Sequence, residues 1–118
     1  MTILVACLLT GKGTWAEVTK LTNNADWEKI LLVTNDFGQK NYSPSKADKT
    51  KIIAVDDMSN ATAIRNFLQP SFDGLFGEVA VNLTSGTGNV HMAVLSALLK
   101  SGAGIRLVIP TETGFEEL

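Results

Sequence analysis

Residues 84–89, with the sequence TSGTGN, combine two threonines, one serine and two glycines in this 118-residue chain. They stand between a short apolar run, residues 78–81, and a long apolar segment that ends at Lys100. This order predicts a strand, a turn and a helix, so that hydroxyls, free backbone N–H groups and a helix N-terminus converge. Turns favour Asn, Asp, Pro and Gly rather than repeated Thr. The segment therefore predicts a site for an anion such as phosphate, and the alternative is a tight turn with Thr caps.

Two further polar turns follow the first and second apolar runs. The first, residues 10–14, has the sequence TGKGT and would supply Lys12 as a cation; the second, residues 34–38, is TNDFG. With Ala16, the first turn matches only the relaxed dinucleotide pattern G-x-G-x-x-A, for which Asp36 could be the ribose acid. The alternatives are a tight strand-to-helix turn and a solvated lysine. The predicted ligand-binding residues are Thr10, Gly11, Lys12, Gly13, Thr34, Asn35, Asp36, Thr84, Ser85, Gly86, Thr87, Gly88 and Asn89.

His91 is the only histidine and lies in the first turn of the predicted helix. A lone histidine without a partner is more often a packed or interface residue than a catalytic base. The predicted catalytic residues are Lys12, Thr10 and His91. Asp56 and Asp57 resemble a metal-binding pair but are better explained as helix caps, so neither a metal site nor a cofactor is predicted.

Composition restricts the class of protein. Hydrophobic residues make up 45% and charged residues 19%, with a net charge of −2, which is typical of one globular domain spanning residues 1–118. General DNA or RNA binding through a basic surface is not expected. The single cysteine, Cys7, lies in an apolar run and cannot form an internal disulfide. No apolar stretch of 18 residues occurs, and a basic leader is missing, so a cytoplasmic protein without membrane contact is expected.

Five nearly continuous apolar runs predict buried strands, at residues 2–9, 29–34, 51–55, 78–83 and 105–109. Helical patterns lie between most of them, with Pro70 expected to end the second helix. This alternation predicts an α/β, Rossmann-like three-layer sandwich with a mainly parallel sheet of five or six strands in the order 3-2-1-4-5. In that order the turns after strands one and four flank the switch point, where ligands bind.

Three other segments carry predictions. The helix at residues 89–100 is apolar on nearly all sides, which favours a homodimer packed through it; the alternative is cover by neighbouring helices. Residues 36–50 lack an apolar face and are predicted to be a loop, either a solvated insertion or a lid, with Pro44 able to open a short helix. The tail after Pro110 is expected to fray.

The string Asn82-Leu83-Thr84-Ser85-Gly86-Thr87, followed by Met92 on the fourth strand–helix unit, resembles a family motif. CRISPR-associated Rossmann fold (CARF) domains carry the motif N/D-x-T-x-G-T-(K/R)-x-M, in which the spacing can differ by one residue. The turn at Thr10 and Gly11 is similar to the family's second ligand-contacting loop. The specific match is confined to these two segments, although the predicted strand order agrees over nearly the whole chain.

The resemblance implies a homodimer with one shared pocket for a cyclic oligoadenylate, the second messenger of type III CRISPR antiviral defence, and adds Met92 to the ligand-binding residues. It implies a stand-alone sensor, sink or regulator. One alternative is a metal-independent ring nuclease, in which a ribose 2′-OH attacks its own phosphate; another is a Rossmannoid for a different nucleotide or sugar phosphate. Gly88 replaces the family's usual basic residue, which favours binding over cleavage. No R-x-x-x-x-H string occurs, so HEPN ribonuclease activity is not expected.

Overall fold

The computed structural model describes residues 2–9, 12–56, 59–75 and 77–118, apart from the side chain of Lys12 and the burial of residues 12 and 13. Its single sheet has the order β3-β2-β1-β4-β5-β6, in which the first five strands are parallel and β6 is antiparallel to β5. The predicted α/β class and strand order are confirmed. The strands are β1 Ile3–Leu8, β2 Lys29–Thr34, β3 Thr50–Ala54, β4 Glu78–Asn82, β5 Gly104–Pro110 and β6 Phe115–Glu117.

Helices cover both faces of this sheet. On one face, α1 packs against Leu4, Ala6 and Leu8 of the central strand, and on the other face α3 and α4 pack against Val5 and Cys7. Burial on both faces explains why β1 is a continuous apolar run rather than an alternating one. The helices are α1 Lys12–Asn24, α2 Asp36–Asn41, α3 Ala61–Phe72 and α4 Gly88–Lys100, with a short 3-10 turn at Ala47–Lys49.

Residues 36–50 are not the structureless loop that their polarity predicted. The Asn35 side chain accepts a hydrogen bond from Gly38 N at 2.9 Å and starts α2, whereas residues 43 and 44 belong to no helix. Lys46 Nζ donates to Ala25 O at 2.7 Å, and the Tyr42 hydroxyl lies 2.8 Å from Thr19 Oγ1. The segment is therefore held against the first helix and its C-terminal end.

Two further predictions are wrong. Helix α3 continues through Pro70 to Phe72, because Pro70 is an exposed residue of the last turn and the fully buried Phe72 beyond it anchors that turn in the core. The tail does not fray, since it forms β6, in which the Phe115 ring lies 5.0 Å from that of Trp27. Arg106 on β5 also forms ion pairs with glutamates of β4 and β6, which join the three strands at the surface.

The apolar helix α4 has an intramolecular partner on one side. Helix α3 runs beside it, and Gln69 Nε2 donates to Ala97 O at 3.0 Å. The sheet and α3 together bury five α4 residues: Val90, Ala93, Val94, Ala97 and Leu98. Met92 and Leu99 remain 66% exposed, with the half-buried Leu95 between them on the outward side. Cover by a neighbouring helix thus accounts for part of the apolar surface of α4. The outward stripe of Met92, Leu95 and Leu99 has no such cover among the described residues.

Candidate functional site

The ends of β1 and β4 meet at one edge of the sheet. These strands are adjacent and parallel, with Ala6 opposite Asn82. Immediately beyond them, Leu9 N donates to Ser85 Oγ at 2.7 Å, and the Ser85 side chain is fully buried. The sequence predicted that the turns after the first and fourth strands meet. The Leu9–Ser85 hydrogen bond supports this prediction for the first residue after β1. Thr10 and Gly11, which come next, and the side chain of Lys12 lie outside the described part of the chain.

The turn after β4 is fixed in shape by Ser85, Gly86 and His91. Nε2 of His91 lies 2.8 Å from Ser85 O, and because a carbonyl only accepts, this ring nitrogen carries the hydrogen. Gly86 has a φ of +109°, and a Cβ there would stand 2.9 Å from Leu9 Cδ1 and 3.2 Å from His91 Nε2. Glycine is therefore required both for the backbone conformation and for the close approach of its neighbours.

Asn82 holds the same turn from inside the sheet. Its Nδ2 donates to Val108 O on β5 at 2.8 Å, and its Oδ1 accepts from Thr84 N at 3.2 Å. The amide is buried, so both bonds offset the cost of removing it from water. The sequence motif contained Asn82 without a role for it. A polar residue at the end of a continuous apolar strand is the signal that marks such a positioning group.

The exposed part of the turn is hydroxyl-rich. Thr87 caps α4, with its Oγ1 3.5 Å from Val90 N and its carbonyl accepting from His91 N at 3.0 Å. Thr84, Thr87 and Gly88 are exposed, whereas Ser85 is not available at the surface. Asn89 is exposed as well but donates to Ser59 O at 2.9 Å, which links the starts of α4 and α3. Two exposed threonines thus lie beside the first turn of a helix, and the hydroxyl of one of them, Thr87, caps that helix.

Met92 lies apart from this turn. It lines a shallow groove of about 210 Å³ between α3 and α4, together with Thr62, Arg65 and Ser96. The guanidinium of Arg65 donates to Asn66 Oδ1 at 2.7 Å. The described structure therefore assigns Met92 to the groove between two helices, one turn further along α4 than the hydroxyl-bearing turn.

The predicted residues after β2 approach the end of β1, but their polar groups are engaged in structural contacts. Thr34 is fully buried and its hydroxyl donates to Leu8 O, Asn35 caps α2, and Asp36 forms an exposed ion pair with Lys40 at 3.0 Å. A Cβ on Gly38 would overlap Thr34 Oγ1 and lie 3.3 Å from Leu8 O. The start of α2 is consequently pressed against the ends of β1 and β2.

An aromatic cluster of Trp15, Phe37 and Tyr42 flanks the same edge, and the sequence did not predict it. Trp15 Nε1 donates to Leu9 O at 2.6 Å, and its ring centroid lies 5.8 Å from those of Phe37 and Tyr42. Phe37 is 51% exposed. No spacing rule could have joined these residues, because they come from two helices and the segment after α2, which only the tertiary fold brings together.

The chain matches no protein-family model and no curated protein sequence. Within residues 2–9, 12–56, 59–75 and 77–118, no three His, Cys, Asp or Glu side chains are grouped so that they could hold a metal ion. Among those same residues, none of the helices combines the length and the apolar content that crossing a bilayer requires.

Proposed function

We propose that this protein binds a cyclic oligoadenylate, of four or six nucleotides, at the edge formed by residues 84–88 and the end of β1. In this proposal it acts as a sensor, sink or regulator in type III CRISPR signalling. The observation that carries the proposal is the pair of exposed threonines, Thr84 and Thr87, on a turn whose buried Ser85 is bonded to Leu9. This turn lies where the strand order reverses, which is where open parallel sheets bind ligands.

The chemistry of the turn suits a nucleotide backbone. The start of α4 carries a partial positive charge, which favours phosphate, and threonine hydroxyls can bond to phosphate or ribose oxygens. The chain has a net charge of −2, so attraction to anions has to be local rather than spread over the surface. A small, ordered oligonucleotide fits these features better than a long nucleic acid does.

A homodimer would complete the site. The outward stripe on α4 consists of Met92, Leu95 and Leu99, spaced three and four residues apart, as in the seam between two packed helices. A two-fold contact through this stripe would set two copies of the residue 84–88 turn on the same assembly, because the turn leads directly into α4. A cyclic ligand with repeated nucleotides could then contact both turns equivalently.

One ring nitrogen of His91 has a structural role, which weakens the case for this residue as the base of a ring nuclease. Its Nε2 is engaged with Ser85 O, so this nitrogen shapes the turn and is not free to take a proton from a ribose hydroxyl. In the ring nuclease alternative, Lys12 and Thr10 would have to supply charge stabilisation and orientation. If cleavage is found, Lys12→Ala should slow it far more than His91→Ala does.

The decisive experiment combines calorimetry with product analysis. Cyclic tetra-adenylate and cyclic hexa-adenylate are titrated into the protein, and the mixtures are then separated by chromatography. Saturable heat with an intact ring supports a binder, whereas linear products with 2′,3′-cyclic phosphate ends support a ring nuclease. The double variant Thr84→Val/Thr87→Val should weaken binding about tenfold, and Thr2→Val, which precedes β1 at the opposite edge, should not. Absence of binding to both rings would refute the proposal.

A further inference from the structure

We propose that Trp15, Phe37 and Tyr42 form a platform on which a planar nucleobase of the ligand stacks. The inference rests on the proposed function, because the base belongs to the nucleotide whose backbone contacts residues 84–88. Phe37 supplies the exposed ring, at 51%, while Trp15 and Tyr42 are half-buried and Trp15 contacts both other rings. The Trp15 and Phe37 planes meet at 48° and those of Trp15 and Tyr42 at 89°.

The platform is held in place before any ligand arrives. Trp15 is fixed through Nε1 to Leu9 O at 2.6 Å, and Tyr42 is fixed by its hydroxyl contact with Thr19 at 2.8 Å. Phe37 immediately precedes Gly38, whose close approach to Thr34 sets the position of α2. A ring on such a support loses little further freedom when a base stacks on it, which lowers the entropic cost of binding.

A single residue connects the platform to the hydroxyl-bearing turn. The Leu9 N–H bonds to Ser85 Oγ, and the Leu9 carbonyl bonds to the Trp15 indole. The aromatic rings and the residue 84–88 turn therefore stand on either side of the end of β1, at the same edge of the sheet. This arrangement lets one ligand place its sugar–phosphate part on the turn and a base on the rings.

The surroundings of Phe37 favour a small planar occupant over a protein partner. Its neighbours in the sequence are polar, namely Asn35, Asp36, Lys40 and Asn41, and Asp36 and Lys40 form an ion pair with each other. A stable protein interface needs about 800 Å² on each partner, which one ring among polar side chains does not offer. Stacking on an exposed aromatic ring requires only a flat π face, which every nucleobase has.

Tryptophan fluorescence gives a direct test. Trp15 touches Phe37, while Trp27, the only other tryptophan, is 2% exposed and shielded. Adenosine monophosphate, ribose 5-phosphate and cyclic tetra-adenylate are titrated separately, with excitation at the red edge of tryptophan absorption, where adenine does not absorb. The two adenine compounds should quench the emission, and ribose 5-phosphate, which has no base, should not.

Phe37→Ala should weaken binding of the adenine compounds about tenfold, and Phe37→Leu, which keeps apolar volume without a π face, should weaken it similarly. The matched control is Phe67→Ala, since Phe67 is 56% exposed on α3, on the other face of the sheet. Unchanged melting temperatures establish that each variant is folded. The platform is refuted if neither Phe37 variant changes the affinity for the adenine compounds, or if neither adenine compound quenches the tryptophan emission.

The outcomes also separate this inference from the proposed function. If a ring messenger binds with equal affinity to wild type and Phe37→Ala, the platform is refuted and the proposed function stands. If adenosine monophosphate binds in a Phe37-dependent way while neither ring binds, the platform stands and the proposed messenger is wrong.

Discussion

His91 lies in the first turn of α4, and its Nε2 donates to the carbonyl oxygen of Ser85, just before that helix, at 2.8 Å. The hydroxyl of the same serine accepts from Leu9 N at 2.7 Å. Ser85 is thus held by α4 through its backbone and by the end of β1 through its side chain. The position of the whole turn relative to the central strand depends on this one residue.

Ser85→Ala should destabilise the protein by about 1–3 kcal/mol, because the Leu9 N–H would then be buried without a partner. Urea unfolding of both proteins gives the difference in free energy. Ser45→Ala is the matched control, since its hydroxyl bonds to Asn23 at the exposed surface and its loss should cost less than about 0.5 kcal/mol. Equal effects of the two substitutions would contradict the structural role of Ser85.

His91→Ala should loosen the turn and weaken messenger binding, whereas His91→Gln should restore most of the affinity. Glutamine keeps a side-chain N–H donor that can reach Ser85 O, while alanine has none. Calorimetric titration with cyclic tetra-adenylate measures both variants. If glutamine binds as poorly as alanine, a role of the imidazole other than donation to Ser85 is required.

Gly86→Ala should be more destabilising than Gly74→Ala. Both glycines have positive φ, +109° and +88°, so each alanine pays about 1–2 kcal/mol for a left-handed backbone. Only at Gly86 would the new Cβ also press on Leu9 and His91, whereas at Gly74 there is nothing within 4 Å. Thermal unfolding should rank the two variants in this order, and the reverse ranking would show that the close packing at Gly86 is not present.

Substitution of the α4 stripe tests the dimer. The wild type should elute as a dimer at micromolar concentration in size-exclusion chromatography with light scattering, and Leu95→Lys/Leu99→Lys should elute as a monomer. These residues lie on the outward side of α4, so buried charge would oppose self-association without entering the core. Phe67→Lys, at a position on α3 that is 56% exposed, should remain dimeric. A monomeric wild type would refute the shared-pocket arrangement.

Alkaline pH should reveal the burial of Cys7. Burial raises the pKa of this thiol from 9.0 to about 12, so between these values the unfolded chain has lost the proton that the native protein keeps. The contribution of the neutral thiol to the free energy of unfolding is fully present below pH 9. Above pH 9 this contribution falls by at most about 1.4 kcal/mol per pH unit. Urea unfolding across this range should show that steeper fall in wild type than in Cys7→Ala. If the stability of wild type and of Cys7→Ala fell equally with pH, the burial of the thiol would be contradicted.

The sheet could be predicted because its signal is local. Strands such as β1 are covered on both faces, so each is a run of apolar residues visible in the sequence. Helix α2 escaped prediction because its start depends on the Asn35 cap and on the fit of Gly38 against Thr34. Strand β6 escaped because its three residues are all exposed and pair through the backbone.

The candidate site was predictable only in part, for the same reason. Threonines and glycines between a strand and a helix mark the residue 84–88 turn in the sequence. The buried hydroxyls of Ser85 and Thr34 look identical to exposed ones until the fold is known. The pairing of Trp15 with Phe37 depends on how α1 and α2 are placed beside β1, which no local pattern encodes.

The contact between Leu9 and Ser85 also dictates when the site can form. Its partners are 76 positions apart, and β1 lies between β2, which follows it closely, and β4, which is made much later. As the chain leaves the ribosome, β1, β2 and β3 can pair early, but the amide of Leu9 has to wait for the second half of the protein. We therefore expect the proposed ligand-binding edge to be among the last parts to assemble, since contacts between distant residues form slowly.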